Sequence, residues 1–102
     1  MPFGLTDDSF NGIESVFSAF HKIVRVHLFG SRALGRERPG SDIDLALEGA
    51  GLTFNDQLEL RIRLDNLMLP YRFDLVILDD QIDDSLRNHI ERVGIVIYQK
   101  QG

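Results

Sequence analysis

Asp42 and Asp44 stand two residues apart at the start of an apolar run, and the pair Gly30-Ser31 closes an earlier one. On a strand over Asp42–Glu48, both carboxylates project from one face, with their Cα atoms about 7 Å apart. Carboxylates so arranged can share hard cations. Glycine at position 30 lets the backbone approach a phosphate without a side chain in the way. Backbone N–H groups around Gly30 to Ala33, opening a short helix that Ser31 can cap, can point at an anion. Together the two features suggest nucleotide chemistry with magnesium.

Taken alone, Gly-Ser reads as a plain turn, and Asp42 as a cap after Pro39-Gly40. Asp44 is harder to dismiss, because aspartate is depleted inside strands and this one lies between Ile43 and Leu45. An unpaired buried carboxylate is costly, so a metal or other cation is the expected compensation. Phe73-Asp74-Leu75-Val76-Ile77 repeats the anomaly. If that strand lies beside the second, Asp74 stands next to Asp42 and Asp44. Three converging carboxylates can hold two Mg²⁺ ions about 3.5–4 Å apart, and one placed at an attacking hydroxyl can accept its proton. The spacing of Gly30 and Gly35 resembles a P-loop, but Arg36-Glu37 stands where Lys-Ser or Lys-Thr is required, and no Gly-x-Gly-x-x-Gly occurs. His21, His27 and His89 are too scattered to suggest a metal site.

The elements that must position these groups are legible from periodicity. Thr6 to about Phe20 predicts a helix, with Phe10, Ile13, Phe17 and Phe20 as its stripe. Ile23–Phe29 predicts a strand and Ser31 to about Arg36 a short helix. Arg38-Pro39-Gly40-Ser41 has the residues of a type II turn. A second strand spans Asp42–Glu48, with Ile43, Leu45 and Leu47 facing the core. Phe54 to about Leu69 predicts a helix with a broad apolar face of Phe54, Leu58, Leu60, Ile62, Leu64, Leu67 and Met68, supported by Glu59–Arg63 and Arg61–Asp65 pairs. A third strand over Arg72–Leu78, a last helix over Ile82–Val93 and a short strand over Ile95–Tyr98 complete the chain. A right-handed parallel crossover is expected between the second and third strands, while the first two can lie antiparallel. The fold class is α/β in the α+β sense: a small mixed four-stranded sheet with helices packed mainly on one face.

The 102 residues suit one domain, residues 1–102. The apolar fraction of 43% and charged fraction of 26% are ordinary for a soluble protein. No apolar run approaches the roughly 18 residues of a membrane span, and the N-terminus lacks signal-peptide regions. Cytoplasmic localisation is the default expectation. Cysteine is absent, so disulfides and thiolate metal sites are excluded. A net charge of −5 disfavours direct nucleic-acid binding. Arg32, Arg36 and Arg38 form a local basic loop that suits a bound polyanion, or simply solvent.

Gly30-Ser31, three residues, Gly35, five residues, then Ser41-Asp42-Ile43-Asp44-Leu45 resembles the signature of the DNA polymerase beta-type nucleotidyltransferase superfamily. More closely, the chain is similar to its minimal nucleotidyltransferase (MNT) branch, from Val24 to Tyr98. The resemblance implies a nucleotidyltransferase fold, in which Gly30 and Ser31 grip the triphosphate, Asp42 and Asp44 bind metal, and Asp74 touches one metal and activates the acceptor hydroxyl. Arg32 and Ser41 are further candidates for nucleotide contact. The implied reaction is attack of a hydroxyl on the α-phosphate of a nucleoside triphosphate, ATP by expectation, with Mg²⁺ and release of pyrophosphate. Larger relatives append acceptor-binding domains, so the acceptor is expected to come from another chain. Family resemblance points to a HEPN-domain ribonuclease toxin, adenylylated on tyrosine by its MNT antitoxin, possible as a hetero-oligomer. The alternatives are a small-molecule (aminoglycoside-like) adenylyltransferase and a non-catalytic antitoxin or binding module.

Overall fold

The computed structural model describes residues 2–101. A short 3-10 turn, Pro2–Gly4, leads into helix α1 (Asp7–Ser18). Thr6 caps this helix by accepting the Ser9 N–H at 3.1 Å, and Asp7 and Asp8 occupy the first turn, where the helix dipole favours negative charge. Strand β1 (Arg25–Phe29) runs directly into the four-residue helix α2 (Gly30–Ala33). The Pro39-Gly40 turn then closes with the Ser41 N–H donating to the Arg38 carbonyl at 2.9 Å, and Gly40 takes the positive φ of 84° that a type II turn demands. Strand β2 (Ile43–Glu48), helix α3 (Phe54–Asp65), strand β3 (Phe73–Ile77), helix α4 (Asp84–Val93) and strand β4 (Ile95–Gln99) follow. Thr53 and Asp56 form a reciprocal capping box on α3, and Asp83 caps α4 by accepting the Ser85 and Leu86 N–H groups.

The four strands form one mixed sheet in the order β3-β2-β1-β4. β1 is antiparallel to β2 and β4, and β2 is parallel to β3. Strand alternation divides the apolar residues between two faces. Val26, Leu28, Ile43, Leu45 and Leu47 join Ile13 and Phe17 of α1 and Leu60 and Leu64 of α3 in the larger core. Phe29 and Ala46 point the other way and pack with Ile90 of α4 in a smaller cluster, flanked by Val76 and Leu86. Asp44 and Asp74 lie on this second face, at the end of the strands next to the β1–α2 junction.

Three expectations need correction. The apolar face read along α3 is only partly a core face: Leu60 and Leu64 are buried, whereas Phe54 is 69% exposed, Leu58 43%, Ile62 59% and Met68 86%. Leu60 and Leu64 share one side of the helix, while Phe54, Leu58 and Ile62 recur every four residues along another side that is left exposed among the described residues. The helix also ends at Asp65 rather than near Leu69, and Met68 adopts a left-handed φ of 58°. Likewise, the short helix starts at Gly30, so Phe29 holds the cap position without a side-chain bond and Ser31 lies inside the first turn.

Candidate active site

Sheet register builds the site. Phe29, the last residue of β1, pairs with Asp44, and Asp44 pairs in turn with Asp74 on β3. The chain therefore leaves β1 at Gly30 immediately beside the Asp44 carboxylate. Gly30 has a φ of +74°, which a side chain rarely tolerates, and a Cβ placed there would collide with Asp44 Oδ2. Only glycine lets the loop reach the carboxylate this closely. Asp42 sits just outside β2, exposed, two residues before Asp44 and on the same face.

The electrostatics confirm that these carboxylates feel one another. Asp44 is pushed up from the ordinary 3.8 to about 6, first by burial, then by the charge of Asp74, then by that of Asp42. The positive fields of His89 and Arg32 act in the opposite direction and are too weak to cancel it. No hydrogen bond is among the influences that hold Asp44 charged. The donor set is all oxygen, which suits a hard divalent cation, and a cation placed there would relieve the repulsion. Among the described residues no group of three acidic or histidine side chains forms a ready-made cage for a metal. Mg²⁺ does not need one, because it usually retains waters and is held by one or two carboxylates together with substrate phosphates.

Arg32 proves to be a structural cation of the loop. It is only 3% exposed, donates from Nη1 to the Phe3 carbonyl and from Nη2 to the Ser41 carbonyl, both at 2.8 Å, and lies 4.8 Å over the Tyr71 ring. One N–H of each Nη is thus committed to backbone, while its Nε is buried without a partner. Ser41 is similarly engaged: its Oγ accepts the Arg38 N–H at 2.8 Å and closes the turn that delivers Asp42. Gly30 and Ser31 are partly buried at the α2 start.

His89 is the site residue that sequence reasoning missed. It projects from α4 against Phe29, edge to face with centroids 6.1 Å apart, and its field reaches Asp44. Its position three residues after Leu86 and one before Ile90 was a signal that it lies on the sheet side of the helix, but nothing local shows which end of the sheet it meets.

Comparisons with known proteins agree with this geometry. The family profile described as "Polymerase beta, Nucleotidyltransferase" matches residues 11–102. No curated protein sequence matches the chain. A solved structure described as a minimal nucleotidyltransferase is 31% identical, with a TM-score of 0.70 over 93% of this chain and 95% of that one. A toxin–antitoxin crystal structure with AMP-PNP is 24% identical, with a TM-score of 0.72 over 95% of this chain and 76% of that one. A chain in the structure of a tri-AMPylated Shewanella oneidensis HEPN toxin in complex with MNT antitoxin is 23% identical, with a TM-score of 0.70 over 95% of this chain and 75% of that one. The last two likenesses establish the fold alone, but the family profile spans the whole sheet and every candidate residue. The chain therefore belongs to the DNA polymerase beta-type nucleotidyltransferase family, as an MNT-type domain.

Proposed function

We propose that this domain transfers AMP from ATP to a hydroxyl of a partner protein, and that the partner is a HEPN-domain toxin which the chain counters as antitoxin. The observation that carries the chemistry is the register that sets Phe29, Asp44 and Asp74 side by side across three strands, so that Gly30, next after Phe29, lies against the Asp44 carboxylate. The partner is suggested by the fold shared with the HEPN–MNT complex, one form of which is AMPylated.

Gly30 and Ser31 bind the β- and γ-phosphates, and the glycine allows the triphosphate to approach the carboxylates. Asp42 and Asp44 face the α-phosphate, with Asp74 on the side away from the loop. Asp74 accepts the proton of the acceptor hydroxyl. The hydroxyl oxygen then bonds to the α-phosphorus, the bond from that phosphorus to the α,β-bridging oxygen breaks, and pyrophosphate leaves on the Gly-Ser side. Asp42, Asp44 and Asp74 would hold Mg²⁺, which when bound supplies charge neutralisation at the attacking and leaving oxygens. Arg32 and Ser41 keep the loop and the Asp42 turn in place.

The test is label transfer from α-labelled ATP, with Mg²⁺, to the product of the gene adjacent to that of this chain, the candidate HEPN partner. Label on the partner, lost in Asp42→Ala, Asp44→Ala and Asp74→Ala, is expected. An intact partner that acquires no label from any of the four nucleotides would refute the reading. Full neutralisation of the toxin by the triple variant would instead make the chain a stoichiometric binder.

A further inference from the structure

Beyond Asp74 the site continues into an open groove of about 450 Å³. Its walls include Asp42 and Asp74, and also Arg61, Asp65, Tyr71 and Arg72. β3 is an edge strand, so no further strand stands between Asp74 and whatever approaches from this side. On the proposed transferase reading, on which this inference rests, the acceptor enters here, opposite the Gly-Ser loop.

Arg61 is not engaged as the sequence suggested. Arg61 does not pair with Asp65, four residues on. Its Nη2 donates to the Phe73 carbonyl at 2.7 Å, which pins the guanidinium beside the residue preceding Asp74 and leaves its other N–H groups for a ligand. Arg72 is exposed, while its carbonyl accepts the Ile43 N–H at 2.8 Å and anchors it next to β2. Among the described residues neither arginine forms an ion pair. Unpaired guanidinium groups are unusual surroundings for a hydroxyl acceptor in a chain of net charge −5, and a planar guanidinium is suited to a carboxylate through two parallel hydrogen bonds.

We propose that Arg61 and Arg72 read the acceptor: the groove takes a peptide segment whose hydroxyl-bearing residue is flanked by acidic side chains. A nucleic-acid acceptor fits less well. Of the two aromatic residues lining the groove, Phe73 is buried and the Tyr71 ring already carries Arg32 on one face, which leaves little surface on which bases could stack.

The test is fluorescence-polarisation binding of three labelled peptides with a central tyrosine, flanked by glutamate, by alanine or by lysine, alongside a short single-stranded RNA. Wild-type chain with Mg²⁺ and AMP-PNP should bind the glutamate peptide roughly tenfold more tightly than the alanine peptide, the effect of about 1.4 kcal/mol. Arg72→Glu should erase that preference or turn it towards the lysine peptide, and Arg61→Gln should weaken it. A switch of preference cannot come from misfolding. Equal binding of the three peptides, no binding of any, preference for RNA, or an unchanged ratio in Arg72→Glu would each overturn the proposal. Acidic-peptide preference without any AMP-PNP binding would sink the transferase reading and leave the groove's specificity standing.

Discussion

Replacing Asp44 by asparagine should make the magnesium-free protein more stable while removing its chemistry. The folded state holds the Asp44 proton up to about 6, against an ordinary 3.8. A carboxyl whose pKa is raised on folding adds stability that is fully present below its unfolded value and is lost as pH rises through the folded value. At pH 7.5 the whole cost is therefore felt. The difference between 6 and 3.8, at about 1.36 kcal/mol per pH unit, comes to about 3 kcal/mol. Asp44 is only partly buried, and solvent screening brings the usable figure to about 1–2 kcal/mol. Asparagine fills nearly the same volume without the charge. In urea unfolding at pH 7.5 with chelator, Asp44→Asn should move the midpoint upward by about 1 M. The gain should shrink as pH falls from 6 to 4. Mg²⁺ with AMP-PNP should then stabilise the wild type by mass action but not the variant. A variant no more stable than wild type at pH 7.5, or a gain that does not change with pH, would refute the argument that Asp44 is held in a destabilising field.

Four other outcomes follow from particular contacts. Gly30→Ala should cost about 1–2 kcal/mol through its left-handed backbone and displace Asp44, so calorimetry should show lost Mg²⁺·ATP binding in a folded protein. Arg32→Ala removes two charge-assisted bonds to the Phe3 and Ser41 carbonyls, and chemical denaturation should show a loss of about 3 kcal/mol. His89→Ala should raise the Asp44 pKa further, read from its carboxyl carbon by NMR, because the imidazole's field now lowers it. Ile62→Glu on the uncovered side of α3 should change stability by less than about 0.5 kcal/mol, whereas Leu64→Ala should cost about 2–5 kcal/mol.

Much of the candidate site was legible in advance because its logic is local. Two aspartates two residues apart on a strand must share a face, and an aspartate among Ile, Leu and Val is conspicuous wherever the strand lies. The meeting of Asp44 with Asp74 required only that β2 and β3 be neighbours, which a strand–helix–strand unit favours. Gly30 was singled out for access to phosphate. Its collision with Asp44 could not be foreseen, because it depends on the exact pairing of Phe29 with Asp44 across the sheet.

The sequence by itself determined the strand faces, the Pro39-Gly40 turn and the motif that marks a nucleotidyltransferase. Each depends on residues within a few positions of one another. Only the tertiary structure decided which side of α3 is covered, leaving Phe54, Leu58 and Ile62 in solvent. It also turned Arg32 inward to hold backbone carbonyls, brought His89 against Phe29, and drew Arg61 to the Phe73 carbonyl instead of Asp65. Periodicity says that a side chain lies on a given side of its own helix or strand. What waits on that side is set by elements far away in the chain, and with it the burial, partner and charge that each residue finally has.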